Sequence, residues 1–500
     1  MKKRKSLLEF SARKMSELVR TQQISPVELV EKSLQRLELI NPSLNARAED
    51  LSQQALTTAR DLENKIFSAP EKYKNFPLLG VPVTVKEMFA MKGCLRTAGS
   101  LNYKNEVMDF DSTLVTRLKS AGAIPICTTN VPELGLWFET ENILYGRTRN
   151  PYDLKRTSGG STGGDAALIA SLVTPLGLGS DIGGSVRIPA AFCGVYGHKP
   201  TWRRLPKTGH FPSTLESIQK VTKETDSITT MGFLTREVED LTLLMETLSG
   251  PDQWDPTVES DWKTKKGFAL DPQVNKIFVM ESPKMKLCAQ SDQEVSAAVK
   301  TAAESFRTKG FEVHYLESNL FVDAFEIWSA VTGATQGLPF YDKLTRGQSI
   351  SLFKELSRHL IGHPRYTFPA LITCVLDLFK KPEAQIRGLE KAQSLHKKIE
   401  DLLGENNFLL MPVHPRVAPR HAMAYFRPFD FCMTGFLNPF GIPATSIPAG
   451  LNSRGLPLAV QIVAGFGQDH INFAAADFLD KIFGGYKKPS FNWLDSQEEF

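Results

Sequence analysis

The sequence predicts an α/β fold built as a single large domain, with a central β-sheet covered by helices on both faces. Three observations predict it. Short apolar runs alternate with amphipathic helical patterns from residue 78 onward. The 500 residues are 42% hydrophobic and 23% charged, which is the composition of a globular chain able to bury a sizeable core. No internal repeat or low-complexity linker divides the sequence, so one interwoven domain is favoured over three separate ones.

The elements follow in order. Ser25-Pro26-Val27-Glu28 offers an N-cap, a proline at the first helical position and a glutamate three residues after the cap. Val27, Val30, Leu34 and Leu37 then share one face. The residue before a proline disfavours the α region, so this helix is expected to stop before Asn41-Pro42. Residues 78–85 read as a strand ending at Lys86. Asp111 is expected to cap a helix carrying Leu114, Val115, Leu118 and Ala121, with Gly122 ending it. Residues 123–127 read as a strand, 165–173 as a helix and 175–180 as a buried strand. Residues 205–230 read as loop. Helices at 237–248 and 291–308 and strands at 276–280 and 312–315 continue the alternation. Residues 320–400 look mainly helical and include the apolar run 368–379; residues 442–465 return to strand-like sequence. The expected organisation is an N-terminal helical segment over 1–70 packing on the core, and a main domain over 71–490. Within the latter, 320–400 form a helical insertion facing the substrate.

Charge and cysteine usage exclude several functions. The 59 basic and 55 acidic residues leave a formal charge of +4, too balanced for nucleic-acid binding as the main task. Cysteines 94, 127, 193, 288, 374 and 432 are widely spaced with no CxxC pair, so they read as buried thiols rather than bridges or metal ligands. The start, MKKRKSLLEFSARK, is basic but has no apolar signal-peptide core, and no apolar run reaches the ~18 residues of a membrane span. A cytoplasmic protein is expected.

The chemistry concentrates between residues 158 and 201. Two glycine-rich turns, GGSTGG at 159–164 and GGS at 183–185, each carry a serine. Glycine allows sharp turns and close backbone approach. A serine behind two glycines can present its hydroxyl beside free N–H groups, which stabilise the oxyanion of an attacked carbonyl. Ser185 is the candidate nucleophile, and the N–H groups of Ile182, Gly183, Gly184 and Ser185 are the candidate oxyanion donors. There is no GxSxG elbow, because position 187 is arginine. Two bases remain open on the residues alone. One is His198, in GHKP. The other is Lys86, at the end of an apolar strand where burial would favour the neutral amine, with Ser161 as a proton relay.

GVPVTVKE, GGSTGG and GSDIGGSVRIPAAFCGVYGHKPT resemble the amidase signature family. Thr97-Ala98-Gly99-Ser100, Thr129-Asn130 with Glu133, Asn150-Pro151, Gly441-Ile442-Pro443-Ala444, Pro448-Ala449-Gly450 and Gly455-Leu456-Pro457 with Gln461 also fit. YGRTRNPYDL and HPRYTFPAL are similar to the second, shorter type of fatty-acid amide hydrolase within that family. The resemblance implies a mixed central sheet, no cofactor or metal, and a Ser–cis-Ser–Lys triad of Ser185, Ser161 and Lys86. In that mechanism neutral Lys86 draws a proton through Ser161 from Ser185, and water hydrolyses an acyl-enzyme. Two positions depart from the family: Thr162 replaces the second serine of GGSSGG, and Glu87 replaces an aspartate. The membrane-spanning N-terminal sequence of animal members has no counterpart, so anchoring is not carried over.

The surroundings are read more plainly. Asp181 and Arg187 are expected to pair and support the nucleophile turn. Thr162 either orients the site through its hydroxyl or caps the helix after it. His198 is expected to be packed and hydrogen-bonded, and His359 with His363 to be a solvated pair. The run 368–379 is ordinarily core; the alternatives are an acyl channel or a membrane face with Lys380 and Lys381 at headgroup level. The expected partner is a small-molecule or lipid-like amide. Peripheral membrane contact and a homodimer are open, and no nucleic acid is expected. Two other functions compete: the glutaminase subunit of a tRNA-dependent amidotransferase, and a nucleotide-binding protein using the glycine-rich loops as anion nests. The first typically has threonine where Ile182 stands. The second lacks the GxxxxGK[ST] and GxGxxG patterns.

Overall fold

Alternation along the strands sets the architecture. Phe408 and Leu410 face one buried cluster while Leu409 and Met411 face another. A strand buried on both sides in this way needs cover on both faces. The first cluster is supplied by the helices Gln293–Arg307 and Asp469–Phe483, the second by Ala324–Thr335 and Pro382–Leu403. The computed structural model describes residues 6–223, 225–259, 268–335, 339–378 and 382–494.

The main sheet has eleven strands. They are β1 (Arg47–Asp50), β2 (Pro82–Lys86), β3 (Ile124–Thr129), β4 (Leu176–Asp181), β5 (Tyr196–Lys199), β6 (Thr230–Thr235), β7 (Lys276–Val279), β8 (Glu312–Tyr315), β9 (Phe408–Pro412), β10 (Ala444–Leu451) and β11 (Pro457–Ala464). Their order across the sheet is β1-β3-β2-β4-β6-β5-β10-β11-β9-β7-β8. β2 runs parallel to both β3 and β4, and β7 parallel to β8 and β9, while the remaining pairs are antiparallel. The sheet is therefore mixed. The carboxyl ends of β2 and β4 lie side by side, with Thr84 opposite Gly177 and Val85 opposite Leu178. In open α/β sheets that edge is where ligands bind.

Several element boundaries differ from the sequence expectation for local reasons. The first long helix runs Pro26–Leu44, straight through Pro42. Pro42 is exposed near the last turn, so its ring points to water; Asn45, left-handed at φ 53°, ends the helix instead. The helix Thr113–Ser120 is capped by Ser112, whose hydroxyl accepts from Val115 N. Asp111 is drawn away by Lys119 Nζ, at 2.8 Å, and by the N–H of Lys92. Between 320 and 400 the described residues form five helices. The helix Phe368–Leu378 buries Ala370, Leu371 and Cys374 against Met88, Leu134, Phe211 and Phe340. Phe379, Lys380 and Lys381, and the basic residues 1–5, lie outside the described residues.

Candidate active site

Lys86 is the last residue of β2 and has no exposed surface. Its Nζ lies 2.7 Å from Ser161 Oγ, 2.9 Å from Ser180 Oγ and 3.3 Å from the Ser180 carbonyl. Burial pulls this amine down to about 7, against the opposing charges of Asp165 and Asp181. Near neutral pH it is thus divided between ammonium and amine. Lys199 is equally buried and is also drawn down to about 7, first by burial and then by Arg187. Its Nζ, however, donates to the Pro200 carbonyl. A carbonyl has no proton to give, so lowered basicity alone does not make Lys199 a base for a nucleophile.

Ser161 sits in the first glycine turn, after a cis Gly160–Ser161 peptide. Small residues are required here. A Cβ at Gly160 would lie 2.6 Å from the Trp137 carbonyl, and one at Gly163 would lie 2.3 Å from Thr140 Oγ1. Ser185 sits in the second turn, just past the end of β4. Thr162 N–H donates to the Ser185 carbonyl at 3.0 Å and ties the two turns together. Ser161, Ser185 and Ile182 line one cavity of about 310 Å³ with Met88, Leu134, Leu136, Phe211 and Phe340. Lys86 is thus joined directly to Ser161. Ser185 shares their cavity, but no hydrogen bond joins the two serine hydroxyls among the described residues.

The backbone of the second turn is held from outside. Three successive carbonyls accept side-chain donors: Asp181 from Asn438 Nδ2 at 2.9 Å, Ile182 from Trp328 Nε1 at 2.8 Å, and Gly183 from Thr434 Oγ1 at 2.9 Å. A trans peptide directs its N–H opposite its carbonyl, so these bonds also aim the N–H groups that follow. Ile182, Gly183 and Ser185 N–H meet no acceptor among the described residues. Gly184 does not fit the oxyanion expectation. Its N–H donates to Asp181 Oδ1 at 2.7 Å, because the side chain at the strand end curls back into the turn.

Asp181 and Arg187 form a fully buried, two-pronged pair, with Nη2 to Oδ1 at 2.8 Å and Nε to Oδ2 at 3.0 Å. Burial pushes the Asp181 carboxyl up, but the Arg187 guanidinium outweighs it and holds the group well below the usual carboxylate range. The remaining guanidinium protons go to the Thr434 carbonyl, Gln461 Oε1 and Asn438 Oδ1. Thr162 fits neither expectation for its hydroxyl: Oγ1 is buried without a partner and does not cap the helix Gly163–Ala170. Its contribution is the backbone N–H.

His198 is packed away from the site. It contacts Thr445 Oγ1 at 2.8 Å and Asp469 Oδ1 at 3.1 Å, between Phe233 and Phe473. His359 and His363 each meet a separate backbone carbonyl, of Tyr366 and Ile361. Glu87 is buried and pushed up to about 8, so it is neutral at pH 7; its Oε1 accepts from Thr97 N–H at 2.5 Å. Sequence reasoning missed Ser180, Trp328, Thr434 and Asn438. Ser180 carries one usable signal, a hydroxyl residue between the apolar start of β4 and Asp181 at its end.

Residues 28–471 match the model of the family described as Amidase. The chain belongs to the amidase family. Among amidase relatives, human fatty-acid amide hydrolase 2 is 32% identical over 97% of this chain and 91% of its own length. One component of the glutamyl-tRNA(Gln) amidotransferase of Thermus thermophilus is 31% identical over 91% and 93%. The amidase fold is shared with a 6-aminohexanoate cyclic dimer hydrolase solved with its substrate. That structure has a TM-score of 0.80 and 24% identity, and covers 97% of this chain and 100% of that one. This amidase is an amide-cleaving serine hydrolase, and the amidotransferase component is the less close of the two named curated relatives. No helix of the described residues is long and apolar enough to cross a membrane.

Proposed function

We propose that Ser185 attacks a carboxamide, that Ser161 and Lys86 carry its proton, and that the amine leaves from an acyl-enzyme which water then hydrolyses. The observation that supports this most is the 2.7 Å contact between Lys86 Nζ and Ser161 Oγ, in a cavity that also exposes Ser185. Neutral Lys86 takes the Ser161 proton as Ser161 takes that of Ser185. The carbonyl oxygen turns negative against the unpartnered N–H groups of Ile182, Gly183 and Ser185. The chain then runs backward and protonates the departing nitrogen, which is otherwise a poor leaving group. In this reading the free Ser185 hydroxyl turns toward Ser161 Oγ when substrate enters, while Ser161 keeps its contact with Lys86.

The substrate in this reading is an amide with an apolar acyl part, extending to fatty-acid amides. Met88, Leu134, Leu136, Phe211, Ile218 and Phe340 along the cavity support it, as does the named activity of the human relative. Thr335 and Phe340, from the mainly helical 320–400 stretch, also reach the cavity, which supports a substrate-facing role for that stretch. The core contacts of the helix Phe368–Leu378 favour packing behind the cavity over a membrane face. The six described cysteines are free thiols, in keeping with a cytoplasmic setting.

Labelling with a fluorophosphonate probe, followed by peptide mapping, tests the nucleophile. Label on Ser185, with faster hydrolysis of long than of short acyl amides, is the expected result. Label elsewhere overturns the mechanism. Preference for acetamide-sized substrates overturns the fatty-acid assignment alone.

A further inference from the structure

Lys86 has a second hydroxyl neighbour besides Ser161, and that neighbour is itself anchored. Ser180 Oγ is 2.9 Å from Lys86 Nζ and 2.9 Å from His210 Nε2. His210 is held there by its loop. Phe211 N–H donates to the Met88 carbonyl at 2.8 Å, Ala90 N–H donates to the Gly209 carbonyl at 2.8 Å, and the ring packs edge-on to Phe89. The imidazole is 6% exposed and borders the substrate cavity. A continuous chain therefore runs His210–Ser180–Lys86–Ser161.

Counting donors and acceptors gives this chain a direction. A neutral lysine has two N–H bonds and one lone pair. The Ser180 carbonyl can only accept, so it takes one N–H. The other N–H and the lone pair are then shared between Ser161 Oγ and Ser180 Oγ. If Ser180 Oγ accepts the N–H, the lone pair faces the Ser161 proton and the lysine can act as a base. If Ser180 donates to the lone pair, the lysine donates to Ser161 and is blocked. The first arrangement needs an acceptor for the Ser180 proton, and His210 Nε2 is the atom in place.

We propose that His210, acting through Ser180, is a positioning residue that aims the Lys86 lone pair at Ser161, and that protonation of His210 reverses the chain and disarms the lysine. The inference rests on Lys86 being the base. The charged groups facing the ring are Lys86 on β2, Arg96 on the loop that follows it, and Lys207 on the ring's own loop, the last paired with Asp226. Burial and these cations hold the imidazole well below its ordinary range, so the competent direction is kept at neutral pH.

The experiment compares wild type, H210Q, H210F and K86M by kcat, KM and the pH profile of kcat/KM. The glutamine amide oxygen can accept in place of Nε2, whereas phenylalanine cannot. H210F is expected to lose about 10-fold or more in kcat at pH 8 with KM nearly unchanged, and H210Q to recover most of it. In wild type the log–log slope of kcat/KM against pH should approach 1 about a unit below pH 7 and steepen toward 2 in more acid solution, as both Lys86 and His210 take up protons. In H210Q it should stay at 1. Full activity in H210F, or the same acid slope in wild type and H210Q, overturns the inference. Should H210F fail to fold, the slope comparison with H210Q decides alone. An active K86M overturns instead the reading of Lys86 as the base.

Discussion

The two glycine-rich turns each present a serine to one cavity, yet they are held in opposite ways. In the first, the serine side chain is the fixed part: Ser161 Oγ is 2.7 Å from Lys86 Nζ. In the second, the backbone is the fixed part. Asn438, Trp328 and Thr434 hold three consecutive carbonyls, and Asp181 with Arg187 locks the base of the turn, while the Ser185 hydroxyl is free of hydrogen bonds among the described residues. The contrast matches the two tasks proposed for these serines. A group that passes protons must be wired to its neighbour before substrate arrives. A group that attacks substrate needs an open hydroxyl and prealigned N–H donors, which act without reorganising at the moment of reaction.

Exchanging the two serines for alanine breaks this comparison most directly. S185A should lose at least about 10⁴-fold in kcat and take no fluorophosphonate label. S161A should lose on the order of 10³-fold yet still label slowly at Ser185. Slow labelling in S185A with none in S161A would reverse the assignment. The wired turn should also impose a pH dependence. Because burial lowers the Lys86 amine to about 7, its basic form is depleted as pH falls, so kcat/KM should rise about fivefold from pH 6 to pH 7 and level off above 8. A profile centred near 10 would mean a solvated lysine. The backbone-held turn should respond to W328F, which removes the donor on the Ile182 carbonyl. A loss on the order of 10-fold in kcat is expected, with weaker binding of a boronic-acid mimic of the tetrahedral state and little change in KM. Equal losses in ground-state and mimic binding would show that Trp328 only shapes the cavity. The smallest effect is expected at Glu87. E87Q imitates the protonated acid present at pH 7, so activity should stay within about 2-fold there, and the variant should be the more stable one above pH 8. The sign follows from a folded-state value raised to about 8: the wild-type carboxyl loses stability as pH climbs from its unfolded value through 8.

Much of the candidate site is legible in the sequence because the groups proposed to react sit in local patterns. Lys86 ends an apolar run, and both serines lie in glycine turns that few other chain conformations can supply. The supports were not legible. Trp328 and Thr434 reach the second turn from far along the chain, and a tryptophan at helical spacing reads as ordinary core. The expectation for Gly184 fails because the carboxylate of Asp181, three residues earlier, claims its N–H, a contact that is invisible in sequence. The same limit applies to the fold. The helix Arg187–Cys193 contains Pro189, and β6 contains Gly232, where a Cβ would lie 2.5 Å from the His198 carbonyl. Glycine argues against a strand interior, and the close approach of the His198 carbonyl requires it here; Pro189 lies in the first turn of its helix, where a missing N–H is tolerated, so it obscures only where that helix begins. The strands around Lys86 were clear because burial on both faces leaves a continuous apolar run.

The parallel pairing of β2 with β4 joins segments about ninety positions apart in the chain and brings the strand that carries the amine beside the strand that leads into the second turn. A hairpin could not do this, so the ladder must close across a long intervening excursion. Recovery of hydrolysis after dilution from denaturant should consequently lag behind the return of helical circular dichroism. The enzyme's own turnover then serves as a clock for when the middle of the molecule knits together.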